Sequence, residues 1–219
     1  MNSEEKRNSV KKDYDLIAKQ YAKDFGTYIE DLDIYEEFEK LLHNNATILD
    51  LGAGTGRTYS YFKERGHNYI GLDFSSKMRE CAYEIHGNFP YILDDMVNIK
   101  KYFKNDTVDA IFAVYSLFHL PEDNLKKLLS DIYEILKVNG VFLFSYQFGN
   151  GEEFTDEPYL GRQGRNVLYM NYHTNEEIDS LIKKLNFNEV YKREKTETVE
   201  GSINNNNNVT VYKILKKVK

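Results

Sequence analysis

A glycine-rich turn after a short, mostly apolar segment constrains this chain more than any other feature of its sequence. Residues 47–51 have the length and composition of a buried strand, and residues 50–56 read Asp-Leu-Gly-Ala-Gly-Thr-Gly. Glycine at every second position lets a backbone turn sharply and lie close against a ligand. The third glycine comes one position too early for the G-x-G-x-x-G pattern of a dinucleotide site. The motif therefore predicts a strand that ends in a turn, which is either structural or suited to a nucleotide-like ligand.

Apolar segments of strand length recur after this turn and alternate with helical ones. They lie at 69–73, 91–93, 108–114 and 141–144. An amphipathic helix is predicted before the last of them from the spacing of its apolar residues, which are Leu125, Leu128, Leu129, Ile132, Ile135 and Leu136. This alternation indicates parallel βαβ units, a sheet covered on both faces, and ligands at the carboxyl ends of the strands.

The two ends of the chain differ from this central part. Residues 1–45 have the apolar spacing of helices, and we expect them to form an N-terminal helical cap. Thr174 followed three residues later by Glu177 indicates a helix start. Two strand-like runs follow, around 189–199 and 209–215, and they predict a hairpin. We expect one domain over 1–219, with a core at 46–145, an insertion at 146–172, and a terminal helix and hairpin at 173–219.

Composition favours a small-molecule enzyme of the cytoplasm. The formal net charge of −6 argues against a large electrostatic surface for nucleic acid. Cys81 is the only cysteine, so no intramolecular disulfide can form, as expected in a reducing compartment. No apolar run approaches the roughly 20 residues of a membrane helix, and residues 1–15 lack the apolar region of a secretory signal. The pairs of adjacent acidic residues lack a His-containing ligand spacing, so we expect no metal site. Because no apolar run is long enough, we also expect no membrane partner.

Asp73 makes the interpretation of the glycine turn more specific. It closes the second predicted strand, 21 residues after Gly52. A carboxylate at this place can accept hydrogen bonds from both hydroxyls of a ribose. The alternative is that Asp73 caps the following helix, although Ser75 can fill that role.

Taken in order, these motifs resemble those of the class I S-adenosylmethionine-dependent methyltransferases. The segments are ILDLGAGTGR (48–57), GLDFS (71–75), DMVNI (95–99), VDAIFAVYSLFHL (108–120) and EILKVNGVFLFS (134–145). The resemblance implies an α/β fold, a Rossmann-like doubly wound sheet of seven mostly parallel strands with an antiparallel last strand. The sequence departs from the family pattern at Val138–Asn139, where Pro-Gly is usual, and at Asn186, where Gly is usual.

The resemblance also implies which residues bind S-adenosylmethionine. Gly52, Ala53 and Gly54 are expected to face its methionine part, with Tyr115 at the border of that part. Asp73 is expected to hold the ribose, and Phe74 and Met78 to pack near the adenine. Asp95 and Met96 are expected at the adenine edge, although Asp94 is an alternative to Asp95. Tyr14 and Tyr21 are expected either to close over the cofactor or to pack a helix face.

Catalysis in such enzymes needs little covalent help from the protein. The sulfonium makes the methyl group electrophilic, so the acceptor must chiefly be held in line, at about 3 to 3.5 Å. A general base is needed only if the acceptor loses a proton. His119 and Tyr146 are the candidates, although packing is an alternative role for His119. The acceptor is expected along 146–172, with Tyr146, Arg162, Arg165 and Tyr172 as candidate contacts, although the arginines could simply be surface residues.

The sequence thus predicts methyl transfer by in-line displacement to an unidentified small molecule. Two alternatives remain open. A protein that binds S-adenosylmethionine without turning it over would share all of these motifs. A nicotinamide-dependent oxidoreductase would share the glycine turn and the acidic ribose ligand, but not the later motifs. The oligomeric state is not indicated by the sequence.

Overall fold

The computed structural model of the chain describes residues 1–156, 167–197 and 208–219. The helices in these ranges are α1 (Ser3–Phe25), α2 (Leu32–Glu39), α3 (Tyr59–Glu64), α4 (Ser76–His86), α5 (Glu122–Ile135) and α6 (Asn175–Lys184), with short 3-10 turns at Met96–Lys101 and Leu117–His119. The strands are β1 (Thr47–Leu51), β2 (Asn68–Asp73), β3 (Tyr91–Leu93), β4 (Val108–Ala113), β5 (Leu136–Gln147), β6 (Gly151–Asp156), β7 (Val167–Tyr172), β8 (Phe187–Glu197) and β9 (Asn208–Lys217).

Seven of these strands form one sheet in the order β3-β2-β1-β4-β5-β9-β8. The first five of that order pair in parallel, and β9 lies antiparallel between β5 and β8. The fold predicted from the sequence, a seven-stranded, mostly parallel sheet with an antiparallel last strand, is confirmed. Reversal of the strand order between β1 and β4 places the carboxyl ends of β1, β2 and β4 around one crevice, which is where open sheets of this type bind ligands.

Apolar side chains cover both faces of this sheet. One face packs against α5 and α6 through residues such as Leu128, Ile132 and Ile178. The opposite face packs against α2 and α3, where Phe38 and Phe62 are fully buried. Burial on both faces explains why the strands read as continuous apolar runs rather than as alternating ones.

The first helix belongs to neither layer. α1 packs its residues Val10, Ile17 and Ala18 against Met78 and Cys81 of α4 and against β7. It therefore lies at the edge of the sheet where the crevice opens, rather than over a face of the main sheet. An Asn2–Glu5 capping box begins the helix and satisfies two backbone N–H groups.

Local sequence signals explain several element boundaries. Thr174 and Glu177 form the predicted capping box at the start of α6, and Ser75 caps α4 by accepting from the N–H of Met78. Asn139 and Asn186 have φ of +66° and +54°. Asparagine tolerates the left-handed conformation better than most residues, so it replaces glycine at both family turn positions.

The segment at 146–172, which the sequence predicted to be an insertion, contains a small antiparallel sheet of β6 and β7. The division of the chain into cap, core, insertion and tail remains a prediction. No helix of the described ranges is long and apolar enough to cross a membrane.

Candidate active site

A cleft of about 640 Å³ lies at the carboxyl ends of β1, β2 and β4. Ten of the eleven residues predicted to bind the cofactor line it, and Ala53 lines a smaller recess beside it. The ten are Tyr14, Tyr21, Gly52, Gly54, Asp73, Phe74, Met78, Asp95, Met96 and Tyr115. The cleft therefore unites residues that are up to 101 positions apart, from Tyr14 to Tyr115.

The glycine turn forms the floor of the cleft with its backbone. The N–H groups of Gly52 and Ala53 both donate to the carbonyl of Leu72, which ties the turn to β2. Gly52 has φ of +78°, and a Cβ on it would lie 2.4 Å from Cβ of Ser116. Only glycine fits here, because both the conformation and the close approach exclude a side chain.

Asp73 presents a buried carboxylate to the cleft. One oxygen accepts from the N–H of Gly54 at 3.0 Å, and the other accepts from the N–H of Ser75 at 2.8 Å. Burial raises the pKa of Asp73 to about 6, while these two donors act in the opposite direction. Ser75, rather than Asp73, caps α4, so the carboxylate oxygens keep lone pairs for a ligand.

The structure separates the two candidate acidic residues that follow β3. Asp95 lines the cleft, and one of its oxygens accepts from Nε of Arg7 at 2.7 Å. Asp94 instead accepts from the side chains of Asn98 and Tyr102 and does not line the cleft. The geometry therefore favours Asp95 for the predicted adenine contact, with Arg7 as its ion-pair partner.

Tyr14 and His119 form a hydrogen-bonded pair in the wall of the cleft. Nδ1 of His119 lies 2.9 Å from the backbone carbonyl of Tyr169, which can only accept, so Nδ1 carries a proton. Burial lowers the pKa of His119 to about 4, and the neutral ring must then accept at Nε2. The hydroxyl of Tyr14 therefore donates to Nε2, at 2.8 Å.

Further contacts hold α1 across the mouth of the cleft. Asp15 accepts from the hydroxyl of Ser75 at 2.6 Å and from the N–H of Lys77 at 3.2 Å. Lys6 forms an ion pair with Glu152 of β6. With the Arg7 and Tyr14 contacts, these bonds attach the helix to the domain at two places about two turns apart, so α1 is built as a cover for the cleft.

Tyr115 is held in an unusual conformation at the end of β4. Its φ is +60°, which costs a non-glycine residue about 1–3 kcal/mol. Its N–H donates to Oγ of Ser145 at 2.8 Å, and its hydroxyl donates to the buried carboxylate of Asp31 at 2.6 Å. These contacts fix the ring between the cleft and its neighbouring spaces.

A larger cavity of about 1000 Å³ adjoins the cleft. Both spaces are bordered by Tyr14, Tyr21, Tyr115 and His119, which form a shared wall. The other residues that line the cavity come from α1, from the loops before α2 and α3, from the 3-10 turn after β4, and from strands β5 and β7. They are Ile17, Phe25, Glu30, Arg57, Phe118, Gln147, Leu168 and Met170. A ligand in the cavity would therefore lie beside a ligand in the cleft.

Comparison with known proteins agrees with this geometry. Residues 48–140 match the family model described as a methyltransferase domain. The resemblance to the class I S-adenosylmethionine-dependent methyltransferases that was predicted from the motif order is confirmed.

The proteins that resemble this chain differ in total length. A phosphoethanolamine N-methyltransferase of Plasmodium falciparum is 27% identical over 157 residues, which cover 70% of this chain and 58% of that protein. A methyltransferase structure from Methanosarcina mazei superposes with a TM-score of 0.69 at 16% identity and covers 84% and 97% of the two chains. The structure of a Haemonchus contortus phosphoethanolamine N-methyltransferase with bound S-adenosylhomocysteine superposes with a TM-score of 0.67 at 18% identity. The superposition covers 92% of this chain and 57% of that one. The chain spans about half the length of the first curated relatives it matches.

Two of the candidate substrate residues, Tyr146 and Tyr172, do not line the cavity. Tyr146 is buried in the core, and its hydroxyl donates to Asn175 at 2.5 Å. Because neighbouring residues of a strand point to opposite faces, Gln147 lines the cavity instead. Tyr172 packs against Gly149 and does not line the cavity. Arg162 and Arg165 lie outside the described residues.

Several residues around the cleft and its recess were missed by the sequence interpretation. Arg7 lies seven positions before Tyr14, which lies seven before Tyr21, so helical periodicity places all three on one face of α1. That spacing could have identified Arg7. Ser116, Thr55 and Arg57 lie within recognised motifs, but the sequence assigned them no role. Among the described residues, no cluster of His, Cys, Asp or Glu side chains is arranged to hold a metal ion.

Proposed function

We propose that the chain transfers the methyl group of S-adenosylmethionine to a small-molecule acceptor bound in the cavity. The observation that carries this proposal is the wall that the cleft and the cavity share. Tyr14, Tyr21, Tyr115 and His119 border both spaces, so a donor in the cleft and an acceptor in the cavity would meet there. Holding two reactants together in this way is the main source of catalysis in a displacement reaction.

The side chains of the cleft fit this cofactor. Asp73 offers carboxylate lone pairs to ribose hydroxyls, and Asp95 offers them to an adenine amine. Phe74, Met78 and Met96 supply apolar surface for a flat ring. The hydroxyl oxygen of Ser116 is buried without a hydrogen-bond partner among the described residues, so a polar ligand group can satisfy it.

The residues of the site would bind the cofactor, cover the cleft and orient the acceptor. S-adenosylmethionine supplies, when bound, an electrophilic methyl group. α1 covers the cleft and excludes water through the contacts of Arg7, Tyr14 and Asp15. Burial keeps the imidazole of His119 neutral and disfavours its protonation at Nε2, so the Tyr14–His119 pair would orient the ligands rather than act as a general base.

A small acceptor is supported by charge and by relatives. The net charge of −6 disfavours a nucleic-acid acceptor. The matched Plasmodium protein is named for methylating phosphoethanolamine, a small polar molecule. No single observation favours an oxidoreductase over this function.

A methyl-transfer screen tests the proposal. The purified chain is incubated with S-adenosylmethionine and a metabolite library, and release of S-adenosylhomocysteine is measured. At least one acceptor should give release that the Asp73→Asn variant lowers strongly. Binding of the cofactor without release for any acceptor would instead support a protein that binds it without turnover.

A further inference from the structure

One face of α1 presents a row of aromatic rings to the larger cavity. Tyr14, Tyr21 and Phe25 fall within about 40° of one another around the helix axis, and all three line the cavity. The ring centroids of Tyr14 and Tyr21 lie 6.3 Å apart with an angle of 81° between the planes. Those of Tyr21 and Phe25 lie 5.1 Å apart with an angle of 52°. The side of the cavity formed by α1 is therefore made of neighbouring ring faces and edges.

Other elements continue this wall of rings. Phe118 and His119, in the 3-10 turn after β4, also line the cavity, with ring centroids 4.5 Å apart. The ring of His119 lies 5.4 Å from that of Tyr14, so the two groups of rings meet. Leu168 and Met170 of β7 add apolar surface from one side of their strand. Half of the twelve lining residues carry a ring, which suits a planar aromatic ligand, because rings favour edge-to-face and offset-stacked contacts with other rings.

Aromatic rings can also surround a cation, but the charges beside this cavity disfavour one. Glu30 is the acidic residue that lines it, and the carboxylate of Glu30 pairs with Nζ of Lys195 at 2.6 Å. The guanidinium of Arg57 lies 5.3 Å from the centre of the Tyr115 ring, so a permanent cation already faces one of the rings. An ammonium group in the cavity would therefore meet a like charge, and the carboxylate that could attract it is already paired.

A polar substituent on a bound ring can interact with Gln147. This side chain lines the cavity at the end of β5. Its Nε2 donates to Oγ1 of Thr210 at 3.0 Å, which holds the amide in place. The carbonyl oxygen of the same amide is an acceptor that a hydroxyl or N–H group can use.

We propose that the methyl acceptor is an uncharged, planar aromatic ring that carries a hydroxyl or an N–H group. Its place in the cavity rests on the proposed function. A lone pair of the ring's oxygen or nitrogen would form the new bond to the methyl carbon, while the electron pair of the broken S–C bond stays on sulfur. The proton of the hydroxyl or N–H group would pass to water. This class differs from phosphoethanolamine, for which the matched Plasmodium protein is named, because that molecule is charged and has no ring.

The test compares 1-naphthol with decahydro-1-naphthol, its fully saturated analogue. Each is titrated by NMR into the protein saturated with S-adenosylhomocysteine, which occupies the cleft and leaves the cavity to the probe. The saturated probe is the more apolar of the two, so burial of apolar surface alone would favour it. The expected result is that 1-naphthol binds about tenfold more tightly, because only its planar rings can stack on the walls. Phosphoethanolamine, titrated in the same way, should bind more weakly than 1-naphthol.

Two variants locate the probe in the cavity. Phe25→Leu and Phe118→Leu keep apolar side chains but remove a ring from the wall, so each should lower the preference for 1-naphthol to about threefold or less. Phe148→Leu is the matched control, because it removes a ring that is 46% exposed and lines none of the three spaces. It should keep the full preference. The comparison of probes on the unaltered protein remains decisive should a variant fail to fold.

Three results would overturn the inference. They are equal affinities or no binding for the two naphthyl probes, tighter binding of phosphoethanolamine, and a preference that both wall variants leave unchanged. Absence of S-adenosylhomocysteine binding to the unaltered protein would contradict the proposed function instead. The same titrations into the free protein would then decide whether the cavity selects aromatic rings, and equal affinities would again show that it does not.

Discussion

The hydroxyl of Tyr14 donates a hydrogen bond to Nε2 of His119, across 105 residues of chain. The bond joins the covering helix α1 to the 3-10 turn after β4, in the wall that the cleft shares with the cavity. His119 is held neutral by burial, and its Nδ1–H donates a hydrogen bond to the backbone carbonyl of Tyr169. The neutral imidazole can accept only at Nε2, and the hydroxyl of Tyr14 donates to that atom.

Tyr14→Phe should loosen the cover over the cleft while leaving the fold intact. Loss of this hydrogen bond costs about 0.5–1.5 kcal/mol, so affinity for S-adenosylhomocysteine should fall roughly 3- to 10-fold. Calorimetric titration measures this, and thermal unfolding checks the fold. Tyr28→Phe is the control, because Tyr28 is 55% exposed and lines none of the three spaces. Equal affinities for all three proteins would show that Tyr14 does not help to retain the cofactor.

Cofactor binding should weaken below pH 6 because of Asp73. Burial raises the pKa of this carboxyl to about 6, and its charged form is the better acceptor for ribose hydroxyls. Only about one tenth of it is ionised at pH 5, so affinity should fall roughly tenfold between pH 7.5 and pH 5. Asp73→Asn should bind weakly at both values, with a flatter pH profile.

The raised pKa of Asp73 affects the stability of the ligand-free protein in the opposite direction: lowering the pH weakens cofactor binding but increases the contribution of Asp73 to the free energy of unfolding. A folded-state pKa above the unfolded value means that the folded chain gains protons first as the pH falls. Asp73 therefore lowers the free energy of unfolding above pH 6, and this penalty shrinks progressively as the pH falls from about 6 towards the unfolded-state pKa of 3.8. Asp73→Asn should accordingly change the stability of the ligand-free protein more at pH 7.5 than at pH 5. A pH-independent difference in urea unfolding would contradict the raised pKa.

Gly52→Ala and Gly54→Ala should separate conformational strain from steric exclusion. Both glycines have positive φ, which costs alanine about 1–2 kcal/mol at either site. A Cβ at Gly52 would also lie 2.4 Å from Ser116, whereas the nearest atom to a Cβ at Gly54 lies at 3.9 Å. Gly52→Ala should therefore destabilise the fold by about 1–3 kcal/mol more than Gly54→Ala, measured by urea unfolding. Equal destabilisation would show that Ser116 can move away.

Gln147 and Tyr146 test the position of the acceptor. Gln147 lines the cavity, so Gln147→Leu should lower methyl transfer about tenfold or more, which is about 1.4 kcal/mol in the barrier, with cofactor affinity unchanged. Tyr146→Phe removes a buried hydroxyl bond to Asn175. It should lower the free energy of unfolding by about 1 kcal/mol and leave transfer intact. If Tyr146→Phe lowered methyl transfer and Gln147→Leu did not, the acceptor would bind on the face of β5 that carries Tyr146.

The sequence predicted the parts of the site that lie within single strand-to-turn motifs. Asp73 and the glycines follow apolar segments directly, so local pattern was enough to place them at the sheet edge. It could not tell Tyr146 from Gln147, because β5 is buried on both faces and shows no alternation to reveal which side meets the cavity. Contacts such as Arg7–Asp95 depend on how α1 crosses the cleft, which no local pattern encodes.

Calorimetric titration of the unaltered protein with S-adenosylhomocysteine, and separately with NAD, tests the central claim most directly. The geometry of the glycine turn, Asp73 and Asp95 predicts saturable binding of S-adenosylhomocysteine at one site per chain. It predicts no binding of NAD, because the third glycine lies one position too early for a pyrophosphate turn. Saturable binding of NAD with no heat from S-adenosylhomocysteine would contradict the assignment of the cleft and the methyl transfer proposed from it.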